Sequence, residues 1–516
     1  MKKHRLERAI VLGLMLSTSI YGTSFAMDTK AETQETTTQT VTLDEFKNNK
    51  LSSTQKPIDG VSKDNDAYNI SKNIIIKGEY TTTTDKNGNI VYNVPQWWVN
   101  SPNEVNVKDN VNVVFDDVSL REPVITGNGN ITINNSKTGN PIFVGANIQA
   151  NSLVLNTNGG NGIYAYGHDV FLDVNNLEIN STANGIIQEA NDNTKETDIY
   201  INDTDSINIH SSGSWAIHCN AISSNANDIY MQSDRENSII KAMGANGVSN
   251  SSPNGGTFLK ADDINIGAWS SYGVIAVSGK LDITAKNDII IADDVNKKGD
   301  YATQAAEADS GMLTINAQNG STTIIGNEGV FTNRKYENGQ IKITSKENNN
   351  ILAKTHTLQA TQKKINDGNI IVTGKNNYIV ADSNIVNQKF NPDFGNGLAI
   401  SPESTSITKL TATDGGYNII KGAIVIEKGA SEVYIDGNDN EISSSYVDKN
   451  NNIVSSIYSK EGIVELKGKN NKIYTNATDT QKEHAVWAQQ GGKINIDGQT
   501  TIVASNADVN TNNIGG

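Results

Sequence analysis

The sequence predicts an all-β chain wound as a right-handed parallel β-helix, with three short strands in each turn of roughly 30 residues. Three observations carry this. One phrase returns at a nearly fixed interval, aliphatic and polar residues alternate inside it, and Gly, Asn and Asp separate the alternating pieces. Near the C-terminus the phrase runs from Ala423 to Gly437, from Ser456 to Gly468 and from Ala485 to Gly498, so its closing glycines lie 31 and 30 residues apart. A further short strand follows each one: Glu441-Ile442, Lys472-Ile473-Tyr474 and Thr501-Ile502-Val503.

The period extends upstream. Taking Ile163, Ile187, Ile217, Val248 and Ile275 as equivalents gives steps of 24, 30, 31 and 27 residues. Ile179, Ile209 and Ile239 step by 30 and 30, and Ile283, Ile315, Ile343 and Val372 by 32, 28 and 29. Unequal steps are expected, because residues loop out at turns without disturbing stacked strands. Within a strand the side chains alternate between faces, so Ile-Asn-Ile or Val-Tyr-Ile sends two aliphatics inward and one polar group outward. β-Branched Ile and Val suit such a half-buried pleated surface. One rung cannot bury its own inner face; stacking makes the core continuous. The turn asparagines, such as Asn440 and Asn471, tolerate left-handed backbone. They read as turn formers, with amide ladders between rungs as the alternative.

Composition agrees. The chain has 44 Gly, 8 Pro, 19% charged and 6% aromatic residues, and the periodicity of its aliphatics separates it from a disordered polar chain. A formal net charge of −15 argues against nucleic-acid binding, which needs a basic face. The lone cysteine, Cys219, excludes an internal disulfide and reads as a small buried residue.

The chain divides into three parts. Residues 1–26 read as a secretory signal peptide: a basic start, an apolar stretch from Ala9 to Tyr21, and Ser24-Phe25-Ala26 as the cleavage site, with Ala26 at its end. Residues 27–65, rich in Thr, Gln, Lys and Asp, read as a flexible mature N-terminus. The β-helix is expected over 66–516, with order beginning near Tyr68. Trp97 and Trp98 are expected to cap the first rung, shielding its core from water, rather than to form an aromatic platform for a sugar or peptide.

A signal peptide, a flexible segment and a long cysteine-poor solenoid with Gly-aliphatic-Ala and Asn-x-Ile rungs resemble the passenger of a bacterial type V autotransporter of the pertactin or AIDA kind. The resemblance covers roughly residues 66–516 and rests on architecture. It implies display on the surface of a two-membrane bacterium, or secretion from it. It also implies an outer-membrane barrel translocator downstream and ligands on host or neighbouring cells. The chain departs from the family at Asn512 to Gly516, where no barrel of alternating strands ending in an aromatic residue is found. The expectation is a piece of a longer protein, or else export by another route. The Asn-Pro-Asn motif of two-partner haemagglutinins is also absent.

No catalytic, cofactor-binding or metal-ligating residues are expected. Some β-helix proteins cleave acidic polysaccharides, but fold does not fix function. The fragments that come nearest to such a site are Asn202-Asp203-Thr204-Asp205, Asp262-Asp263, Gly167-His168-Asp169 and Arg334-Lys335, and they are out of order. His210, His218 and Cys219 match no zinc spacing, and Asp436 to Asn440 matches no calcium loop. The leading expectation is therefore a non-enzymatic adhesin or structural rod. The alternatives are a polysaccharide lyase or glycosidase and a passive stalk for a missing domain.

Overall fold

The computed structural model describes residues 38–65, 67–98, 104–190, 197–202, 204–221, 227–293, 304–333, 335–383, 394–448, 453–477 and 481–505. The expected signal peptide and its cleavage residue Ala26 lie outside the described residues. The chain winds through three parallel sheets, visited in the order first, second, third face and back to the first. Some strands bend through every face in one pass, as Ile142–Thr157 and Ile163–Ser181 do. Segments of the winding pair in parallel with their equivalents one turn on, as Ile148 does with Leu172 and Leu172 with Ile201. Val61–Asp64, Thr81–Thr84 and Val447–Asp448 instead pair antiparallel in hairpins. The fold is the expected all-β parallel β-helix.

The register tests each predicted series. Ile283, Ile315, Ile343 and Val372 are successive partners on the second face, and the column continues through Leu410, Ile435 and Leu466 to Ile496. On the first face Ile163, Ile217 and Val248 belong to one inward column. Its other members are Ile186 and Val274, however, not Ile187 and Ile275. A shift of one residue moves a side chain to the opposite face. Here both residues of each pair are aliphatic and both are buried, so hydrophobicity did not separate them. On the third face Ile179 does pair with Ile209, but the next partner is Ala242, because Ile239 aligns with Ser206.

Order begins earlier than the composition of 27–65 suggests. Gln39–Thr42 is a strand pairing with Ile74–Lys77, and a helix follows over Leu43–Asn48. Thr42 and Glu45 form a reciprocal capping box, and Asn49 ends the helix in a left-handed conformation. Phe46, fully buried, stacks on Tyr68 at 4.8 Å and meets the edge of Trp97 at 5.5 Å. The helix therefore lies over the end of the solenoid where the tryptophan pair was expected to. Strand alternation splits that pair: Trp97 is 5% exposed and packs inside against Phe115, whereas Trp98 is 45% exposed and faces outward. The capping box sits in a Thr- and Asp-rich stretch, which is why composition alone reads as flexible.

The third face carries the most distinctive part of the core. Asn349, Asn377, Asn418, Asn440 and Asn471 are successive register partners, all inward and almost fully buried. Each amide donates to the oxygen of the next at 2.8 to 2.9 Å. The second amide hydrogen goes to the carbonyl at the corner: Thr373, Thr411, Asp436 and Lys467 for the first four, and Asp497 for Asn471. Ser345 closes the N-terminal end of the ladder, bonding both Asn349 and Thr322. This also explains the closing glycines of the repeated phrase. A Cβ at Gly437 would fall 2.6 Å from the Asn418 amide nitrogen, and one at Gly468 would fall 2.5 Å from that of Asn440. These asparagines are thus structural ladder members and not turn formers alone.

Candidate functional site

The outward positions of each face form columns as regular as the inward ones. On the first face Trp98, Arg121, Phe143 and Tyr164 are successive partners. The Arg121 guanidinium lies 4.4 Å from the Trp98 ring and 4.7 Å from that of Phe143, and Phe143 stacks on Tyr164 at 5.2 Å. Such cation–π contacts hold a charged side chain against aromatic faces. The Tyr164 hydroxyl donates to Glu189 at 2.6 Å. On the second face Phe171, Tyr200, Tyr230 and Phe258 stack at 5.1, 5.2 and 4.9 Å with their planes within 9°.

Carboxylates support that stack. Tyr200 and Tyr230 donate to Asp198 and Asp228, each at 2.8 Å. Asp169, Asp198 and Asp228 in turn accept the backbone N–H of Asp198, Asp228 and Gly256 on the following rung. Burial, and after it the hydrogen bond to Asp228, pushes the Tyr230 phenol up to about 12. The ring faces are occupied by one another, so the column offers edges to its surroundings.

On the third face the outward column is polar. Asn134, Asn156 and Asn180 are partners, and His210 takes the next position. Asn156 donates to Asn134 at 2.8 Å and Asn180 to Asn156 at 2.9 Å. A groove of about 450 Å³ runs along them, reaching Asn158, Thr182 and Ser212. The His210 ring lies 5.8 Å from that of Trp269.

The remaining ionisable groups are scattered. Glu307 is 1% exposed and Asp309 is also buried. Burial raises both above the ordinary carboxylate range; Asp309 raises Glu307 further, whereas the hydrogen bond with Glu307 draws Asp309 back down. Asn333 donates to Glu307 at 3.1 Å. His218 lies under Trp215, with ring centroids 5.2 Å apart, and burial pushes it down to about 4. In a second groove Lys364 reaches Glu432 at 2.6 Å and Tyr434 donates to the same carboxylate. Burial there works to raise Glu432, but Lys364 and Tyr434 together hold it below its usual range.

The fragments singled out in the sequence stay apart. Asp205 pairs with Arg235, Asp262 with Lys286 and His168 with Glu122. Asp203 and Arg334 lie outside the described residues. His210 is on the third face and His218 on the first, so the seven residues between them cross a corner. Cys219 is inward and buried, and its thiol bonds Gln188 at 3.0 Å. Among the described residues no group of three or more His, Cys, Asp or Glu is placed to hold a metal ion.

No family model matches the chain, and neither a curated protein nor a solved structure matches it. The outward columns went unread in the sequence although their signal was present. Each residue of the strip Asn134, Asn156 and Asn180 directly follows an inward aliphatic, Ile133, Leu155 and Ile179.

Proposed function

We propose that the chain is a non-enzymatic adhesive rod, the β-helical passenger of a surface-displayed or secreted autotransporter-type protein. Its long side engages ligands on host or neighbouring cells. The observation that carries the reading is the repetition of one side-chain type in the outward columns, aromatic on the second face and amide on the third, over consecutive rungs. A surface that repeats along its length presents many weak contacts at once, and avidity multiplies them. Against catalysis, Asp169, Asp198 and Asp228 are already engaged by backbone and tyrosine donors, and Glu432 is neutralised by Lys364.

The test is to couple the full chain to beads and measure retention on epithelial and bacterial cell layers under flow. Retention that rises steeply with surface density and is competed by the free chain is the expected result. Beads that bind no better than uncoated ones would remove the adhesive reading. Release of reducing sugar from a polysaccharide panel would replace it with the enzymatic one.

A further inference from the structure

We infer that the third-face groove is a binding site for a neutral, extended glycan lying parallel to the rod axis. The inference rests on the adhesive reading and names its ligand class. Five observations converge on it. The first is valence. An amide carries two donors and two acceptor lone pairs. Asn156 uses one N–H on Asn134 and one lone pair on Asn180, which leaves one of each for a ligand.

The second is the floor of the groove. Asn135 is 1% exposed and Ser181 3%, both line the cavity, and the Asn135 Oδ1 and Ser181 Oγ have no protein partner. Both atoms are closed to solvent, so the floor is sealed and a ligand in the groove bonds the outward amides above it. The third is spacing. Successive amides are one strand apart, about 4.8 Å, and an extended hexose chain with equatorial linkages advances by close to that distance per sugar. The groove volume, about 450 Å³, is within the range of small-molecule sites.

The fourth is charge. The residues lining the groove include no lysine or arginine, Asn180 also donates to the Glu178 carboxylate at 2.8 Å, and the chain has a net charge of −15. An anionic polysaccharide would be repelled, so the class is neutral. The fifth is the end of the groove. Exposed His210 beside the Trp269 ring gives a polar edge and an aromatic surface where the amide column stops.

The experiment is calorimetric titration of the full chain with cello- and chito-oligosaccharides about six sugars long, with polygalacturonate as the anionic comparison. The same titrations are made on Asn156→Ala and on His210→Ala, and thermal unfolding verifies that each variant keeps the fold. Binding of a neutral oligosaccharide that weakens roughly tenfold in Asn156→Ala, and measurably in His210→Ala, is the expected result. Equal binding by the parent and both variants would place the site elsewhere and overturn the inference. So would preference for polygalacturonate. If no neutral oligosaccharide binds while coated beads still adhere to cells, the glycan site fails and the adhesive reading stands. If neither binds, both fail.

Discussion

One inward column of the third face changes chemistry halfway along the molecule. From Ile74 through Val113, Ile131, Leu153, Leu177, Ile207, Ile240 and Ile264 to Ile289 it is aliphatic. Thr322 then leads into Asn349, Asn377, Asn418, Asn440 and Asn471. Both halves are equally buried. In the first, cohesion is dispersion and water exclusion, non-directional and tolerant of shape. In the second it is a chain of hydrogen bonds in a low-dielectric interior, strong when complete and costly when interrupted. The same amide ladder occurs outside the first half, at Asn134, Asn156 and Asn180, where water is an alternative partner. Position, not residue type, decides whether an asparagine column holds the fold or is open to a ligand.

Exchanging the two chemistries tests this. Leu177→Asn should be the most damaging change, at about 4 kcal/mol or more, since it removes a buried aliphatic and buries an amide without ladder partners. Asn418→Leu should follow, at about 2–4 kcal/mol. It orphans the Asn377 donor, the Asn440 oxygen and the Asp436 carbonyl. Urea unfolding of each variant measures both, and a neutral Asn418→Leu would mean that the inner ladder adds no stability over an aliphatic column.

Protonation sharpens the contrast, because amides do not titrate. Any pH dependence of stability must come from elsewhere, chiefly the first face. Burial raises Glu307 to about 8 in the fold, so it keeps a proton that the unfolded chain releases near pH 4. Its contribution to stability is complete below that range and is lost as pH rises toward about 8. In Glu307→Gln the unfolding midpoint should stay flatter from about pH 5 upward. His218 acts in the opposite direction. It is neutral in the fold, so stability is complete above about pH 6.5 and falls as the pH drops toward about 4. Denaturation series across pH, with and without each substitution, separate the two. The smallest effect is expected at the outer ladder: Asn156→Ala should cost less than about 1 kcal/mol. A larger loss there would show that the exposed ladder holds the fold as the buried one does.

The period and the inward alternation were legible because burial selects aliphatics at every second position. The second-face series from Ile283 to Val372 was placed in register from spacing alone. Where both neighbours are aliphatic, as at Ile186-Ile187, spacing could not choose the face. The amide ladder was harder to read, because Asn at a corner is equally at home in a turn. The clue was the recurrence of Gly437 before Asn440 and Gly468 before Asn471, each glycine leaving room chiefly for the ladder amide one rung back, Asn418 and Asn440 in turn. The N-terminal helix was hidden by its own capping residues, which resemble linker composition. The outward columns were missed because nothing in a polar alternation says that successive polar residues touch.

Force applied along the rod axis meets these columns differently. The backbone bonds between rungs point along that axis, so tension strains them rung by rung, in series. The amide ladder adds a further bond in parallel at each of its rungs, from Asn349 to Asn471. Rungs with an aliphatic interior have no such bond in that column. Between Ile74 and Ile289 the third-face amide bonds between rungs are outward ones, such as those of Asn134, Asn156 and Asn180, which water can replace. A rod pulled from its ends should therefore part there first, leaving the half bolted by buried asparagines as the last piece to unravel.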